Sequence, residues 1–223
     1  MRYRDSSVAI VLFGFLLGCG DGATRILTQL PLEDNSTTTA IIIATGSNPS
    51  DYLIPSISDF DRDKFLKAIN QARANGYDCG VALDIDGGRV VGYQEPTTPL
   101  IWNESLYKTA YEHNYDMINS EIFAHEGSGT RYDITGTKLN KKSLPEDRVL
   151  ANGYLTDRVS SYTLGENLAE GQDNIDKAII DWLNSPLHCE NLMNPEFRDM
   201  GISKVFNSTN KKYYWSHELG VIY

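Results

Sequence analysis

Between residues 58 and 223 the apolar positions switch between helical and strand spacing without settling into a strand–helix alternation, and no other feature restricts the fold as much. The clearest element is a helix in which Ile175, Ala178, Ile179, Trp182 and Leu183 fall at i, i+3, i+4, i+7 and i+8. Ser185-Pro186 stops it and starts a short new helix. A first helix is expected over residues 58–75, with Asp59, Asp61 and Asp63 at its positive end and Phe65, Ile69 and Ala72 on one face. Gly76 suits its left-handed cap. Another helix is expected over residues 103–119, with Leu106, Ala110, His113 and Met117 on one stripe. Residues 81–93 read as a hairpin turning at Asp86-Gly87-Gly88. Residues 122–165 are turn-rich, and two strands are expected over 201–206 and 212–223, joined through Asn207-Ser208-Thr209-Asn210. A parallel sheet needs a helix after each strand, so this order reads as α+β. With 223 residues, 41% of them hydrophobic, the chain can build one domain with a real core plus appendages.

The N-terminus reads as an address. Arg2 and Arg4 precede an apolar run over residues 8–17, too short for a bilayer span and suited to a secretory signal core. The run ends in Leu16-Leu17-Gly18-Cys19, which resembles the bacterial lipobox, where the signal is cut before the Cys and the sulfur receives a diacylglycerol. The competing reading is an uncleaved anchor or buried helix with an incidental Cys. The expected plan is a signal peptide over 1–18, a lipid on Cys19, a Ser/Thr/Asn/Asp/Pro-rich tether over 19–58 and a folded domain over 59–223. With Cys19 lipidated, Cys79 and Cys189 allow one pairing, in a compartment where a disulfide persists. Closing a loop of over a hundred residues is worth about 4–5 kcal/mol on the chain-entropy account. Two separate buried thiols are the alternative. A net charge of −10 without a Lys/Arg block argues against nucleic acid and against electrostatic adhesion to anionic lipid, leaving the lipid anchor as the membrane contact.

No HExxH helix, phosphate-binding glycine loop or paired CxxC is present. The remaining chemistry lies in His125 of Phe123-Ala124-His125-Glu126-Gly127, Glu166 of Gly165-Glu166-Asn167-Leu168-Ala169, His188 of Ser185-Pro186-Leu187-His188-Cys189, and His217 of Trp215-Ser216-His217-Glu218. Imidazoles and a carboxylate can hold a divalent cation such as zinc, or hold one another by hydrogen bonds. Spacing alone leaves both readings open, and any one of these histidines taken singly is more often structural.

The segment from Gly165 to Gln172, followed by Trp182-Leu183-Asn184-Ser185-Pro186-Leu187-His188-Cys189-Glu190-Asn191-Leu192-Met193-Asn194-Pro195, resembles the bacterial SCP-like branch of the CAP superfamily. That superfamily groups cysteine-rich secretory proteins, antigen 5 and pathogenesis-related proteins. Leu100-Ile101-Trp102-Asn103, Phe123-Ala124-His125, Asp147-Arg148, Gly153-Tyr154 and Tyr214-Trp215 extend the resemblance across residues 60–223. It implies a three-layer α-β-α sandwich with a groove over the central sheet. His125 matches the first groove His, Glu166 the Glu of the Gly-Glu-Asn segment and His188 the second His. The place of the second Glu is Ser185, so the set is incomplete. His217 stands where bacterial relatives have Gln and is a further candidate ligand. Cys79-Gly80 and His188-Cys189 look like the cysteine pair of many bacterial members, which implies the same bridge. Members of the family act mostly as secreted binding modules. The resemblance therefore implies an exported, membrane-tethered envelope lipoprotein that binds a lipid, a peptidoglycan fragment or a protein through a His/Glu-lined groove, with zinc held weakly. No catalytic residue is assigned. One alternative is a metal-assisted hydrolase of peptide, peptidoglycan or ester, in which His125 and His188 hold the cation and Glu166 accepts a proton. The other is a purely structural His/Glu cluster.

Overall fold

The computed structural model describes residues 52–84 and 87–223. The expected signal peptide, Cys19, most of the tether and Asp86 lie outside them. Helix α1 spans Asp59–Arg73, and the two-stranded pairs are β1 (Tyr77–Asp78) with β4 (Tyr93–Gln94) and β2 (Val81–Asp84) with β3 (Gly87–Val90). Then come β5 (Ile101–Trp102), α2 (Glu104–Ser120), α3 (Ile134–Leu139), α4 (Pro145–Ala151), β6 (Tyr162–Glu170), α5 (Ile175–Leu183), α6 (Pro186–Met193), β7 (Asp199–Asn207) and β8 (Lys212–Ile222). The central sheet has the order β5-β7-β8-β6, with β5 parallel to β7 and the other neighbours antiparallel.

Side chains alternate across this sheet. Met200, Ile202, Trp215, Leu219 and Ala169 face one side, where they join Phe65 and Ile69 of α1 and Ile175, Ala178, Ile179 and Trp182 of α5 in the largest apolar cluster. The opposite side carries α2, which runs across β7 and β8. The result is the expected α+β, three-layer α-β-α sandwich. Gly201 lets α2 approach: a Cβ there would run into the backbone of Leu106 and Tyr107. Twelve of the seventeen α2 residues are buried, which the single stripe of apolar positions does not foretell.

The α1 start is as expected, with the Ser58 side chain accepting from the Asp61 N–H and Asp59 and Asp61 in the first turn. Its end is not. The helix stops at Arg73 with Ala74 right-handed, and Gly76 has no positive φ. Gly76 instead lies under the exposed Tyr93 side chain, whose ring would have to move aside for a Cβ there. The hairpin at 81–93 is narrower than expected: Gly87 pairs with Asp84 and Gly88 with Leu83, so both glycines belong to β3. Residues 52–58, expected as tether, pack on the domain. The Tyr52 ring lies 4.8 Å from that of Tyr115, and the Tyr107 hydroxyl donates to the Pro55 carbonyl at 2.9 Å. Arg73, fully buried, donates to the carbonyls of Thr98, Leu192 and Asn194, where the last two close the negative end of α6. Cys79 and Cys189 form a disulfide with Cα atoms 5.6 Å apart, packed against Met193.

Candidate functional site

The turn-rich stretch becomes ordered through three buried carboxylates that accept from backbone N–H groups. Asp116 of α2 takes Ser128 N at 2.7 Å, and Glu112 takes Thr135 N at 2.9 Å and Asn152 Nδ2 at 2.8 Å. Asp133 takes the N–H groups of Gly129, Gly136 and Ser143. A Cβ on Gly127 or Gly136 would strike the Asp133 carboxylate, so these turns need glycine. His113 of α2 donates from Nε2 to the Ala124 carbonyl at 2.8 Å, placing the residue before His125.

Register then sets the floor of the site. In β6 and β8, Glu166 lies directly opposite Glu218, and Asn167 opposite His217. Cross-strand partners share a face, so Glu166 and Glu218 both point toward α2 while His217 points away. Arg148 of α4 donates to Glu166 Oε2 at 2.7 Å and to the His125 carbonyl at 3.0 Å, and it also bonds Ser143. His125 Nδ1 lies 2.6 Å from Glu166 Oε1. His188 comes from α6, on the other layer. Asn167 donates to its carbonyl at 3.1 Å, and Asn191 donates to the Glu166 carbonyl at 3.3 Å. The rings of His125 and His188 lie 6.5 Å apart, meeting at the β6 edge of the sheet, both half-buried.

Burial works to raise the Glu166 carboxyl, and the pull of its neighbours, His113 and Arg148 foremost, holds it well below the usual carboxylate range. Burial keeps His113 itself uncharged, pushed down to about 3, so the net positive charge on Glu166 is that of Arg148. Glu218 goes the other way. Burial pushes it well above the carboxylate range, and the adjacent negative charge of Glu166 adds to the effect. Ser216 Oγ donates to Glu218 at 2.9 Å. His188 is lowered to about 4 by burial and by the proximity of His125.

The structure thus brings His125, Glu166 and His188 together, and it leaves His217 out. That ring is fully buried on the α5 face, stacked on Trp182 at 5.4 Å and 28°, and lowered to about 3 by burial and then by Arg73. It is not a fourth ligand, because the period of two carries it to the wrong side of the sheet. Ser185, at the place of the second Glu, is the N-cap residue of α6. The donor set does not fit zinc. Both Glu166 oxygens are bonded, one to a buried guanidinium, and among the described residues no three His, Cys, Asp or Glu side chains are grouped to hold a metal ion. The sequence reading missed Glu218 and the role of Arg148. Glu218 is detectable by alternation once β8 is paired with β6. Asp147-Arg148 stands out through the resemblance, but its pairing with Glu166 is visible only in the folded distance.

Residues 66–219 match the sequence model of the cysteine-rich secretory protein (CAP) family. The Bacillus subtilis protein YkwD is 29% identical over 107 residues, 48% of this chain and 35% of its own length, so the chain spans about a third of the curated relative it matches. Among solved structures, an extracellular protein containing an SCP domain from Bacillus anthracis is 23% identical with a TM-score of 0.42, covering 55% of this chain and 34% of that one. An outer surface protein from Borrelia burgdorferi is 20% identical with a TM-score of 0.44, covering 57% of this chain and 80% of that one.

Proposed function

Since the chain belongs to the cysteine-rich secretory protein (CAP) family, we propose that it is an exported binding module of the cell envelope, held to the membrane by a lipid on Cys19, that takes a lipid, peptidoglycan fragment or protein where His125 and His188 meet. One observation carries this reading. Of the four histidines, His113 and His217 are fully buried, whereas His125 and His188 come from opposite layers to one half-open position. The first pair is closed off from solvent, His113 by its bond to the Ala124 carbonyl and His217 by stacking on Trp182, so neither can meet a ligand. Core packing gives no reason for two imidazoles to face each other at a sheet edge, with the carboxylate beneath one of them sealed by an arginine.

The hydrolase alternative loses its proposed base. A general base works best with a pKa near the operating pH, and Glu166 is buried, bonded at both oxygens and held far below that range. Isotope-labelled full chain titrated with envelope lipid, muropeptide and protein fractions tests the binding reading by NMR. Shifts centred on His125 and His188 are expected, and shifts confined to other surfaces contradict it. Cys19→Ser tests the tether: the variant should leave the membrane fraction or stay unprocessed, and a mature N-terminus elsewhere without lipid refutes the anchor.

A further inference from the structure

The positive charge at Glu166 comes from the chain itself. Arg148 is 1% exposed and is fixed by the Ser143 hydroxyl, the His125 carbonyl and Glu166 Oε2. A divalent cation using Glu166 has to displace this guanidinium or sit beside it against like-charge repulsion. The same arrangement decides what His125 offers to a ligand. A carboxylate only accepts, so the hydrogen in the 2.6 Å contact belongs to His125 Nδ1, the tautomer whose Nε2 is an acceptor. His188 beside it is kept uncharged by burial. The only guanidinium in this cluster is consumed internally, and a net charge of −10 repels anions at longer range.

We propose that Arg148 is a built-in replacement for a divalent cation at Glu166, and that the site it completes takes an uncharged group that donates a hydrogen, a hydroxyl or an amide, to Nε2 of His125. The ligand half rests on the binding reading above; the Arg148 half does not. Arg148 makes the site independent of metal, and Glu166 fixes the imidazole as an acceptor in the way a carboxylate orients a catalytic histidine.

Both halves are tested on the full chain. Calorimetry at pH 7.5 after chelator treatment should show no zinc binding at this site tighter than millimolar in the wild type. Arg148→Met should gain zinc affinity by at least about tenfold, because a unit positive charge no longer occupies Glu166 Oε2 or repels the metal ion. That gain should vanish on adding His125→Gln, and Arg148→Lys should stay metal-free. If Arg148→Met does not fold, the wild type decides: micromolar zinc binding that His125→Gln abolishes overturns the proposal. For the ligand half, chitotriose, a neutral trisaccharide bearing hydroxyls and amides, and inorganic phosphate are titrated separately while His125 and His188 are followed by NMR. Shifts with chitotriose and none with phosphate support it. Phosphate shifts that His125→Gln removes overturn it. Silence with both probes removes the ligand half and counts against the binding reading, while the zinc result still decides the Arg148 half.

Discussion

Glu218→Gln should stabilise the protein at neutral pH and do nothing at pH 4. Glu218 is 1% exposed, faces Glu166 across the β6–β8 pair and is kept protonated by burial and by that like charge. In the unfolded chain the same carboxyl titrates near pH 4.3 and is ionised at pH 7. Folding at pH 7 therefore takes up a proton. For a carboxyl whose folded pKa is raised, stability is fullest below the unfolded value and declines as pH rises through the interval up to the folded one. At pH 7, about 2.7 pH units above the unfolded midpoint, the penalty is at most about 3.7 kcal/mol. Glutamine has the shape of the neutral acid, accepts from Ser216, donates to Glu166 and carries no proton penalty in either state. Allowing for imperfect amide placement, the expected gain is about 1–3 kcal/mol at pH 7 and near zero at pH 4. Urea unfolding of both proteins at pH 4, 5.5 and 7, with the disulfide intact, measures it. A variant less stable than wild type at pH 7, or a gain independent of pH, refutes the reasoning.

Glu166 should show the opposite dependence: its lowered carboxyl contributes stability above pH 4.5 that is lost as the pH falls, and Glu166→Gln, which leaves Arg148 buried and unpaired, should cost about 3–5 kcal/mol at pH 7 by denaturant unfolding. Arg73→Met should cost about 3 kcal/mol or more in the same assay, because the carbonyls of Thr98, Leu192 and Asn194, the last two at the α6 end, lose a fully buried donor. Cys79→Ser opens a loop with a sequence separation of 110 and should lower stability by about 4–5 kcal/mol. Gly201→Ala forces α2 off the sheet and should cost about 1–3 kcal/mol or more, with the His125 environment shifting by NMR because α2 carries His113.

What was legible in the chain was whatever local spacing determines. Ile175, Ala178, Ile179 and Trp182 reveal α5 and its buried face, and its N-cap Asn174 accepts from Lys177 N. Ser185-Pro186 marks the start of α6 for the same local reason. Strand β6 was not legible, because Gly165, Glu166 and Asn167 are poor strand formers and their pairing comes from β8, some fifty residues later. Helices α3 and α4 hid inside a turn-rich stretch. Their starts depend on Asp133 and Asp147 reaching nearby backbone N–H groups, and on Pro145 at the first turn of α4. Of the site, His125, Glu166 and His188 were found through family resemblance, and the structure brings them together. His217 was misplaced because resemblance fixes a position along the strand without fixing which face it takes. Gly76 was assigned to a helix cap when it lies instead under Tyr93, a neighbour that spacing along the chain does not reveal.

The most direct test of the account is long-range proton–nitrogen NMR of the four histidine rings at pH 7, assigned by single His→Gln variants. His125 should carry a hydrogen on Nδ1, held by Glu166, and its ring should give an Overhauser contact to that of His188. His217 should contact the Trp182 ring and neither of the other two. A His125 ring with no hydrogen on Nδ1, or a His217 ring touching His125, contradicts the assignment of the site to these residues.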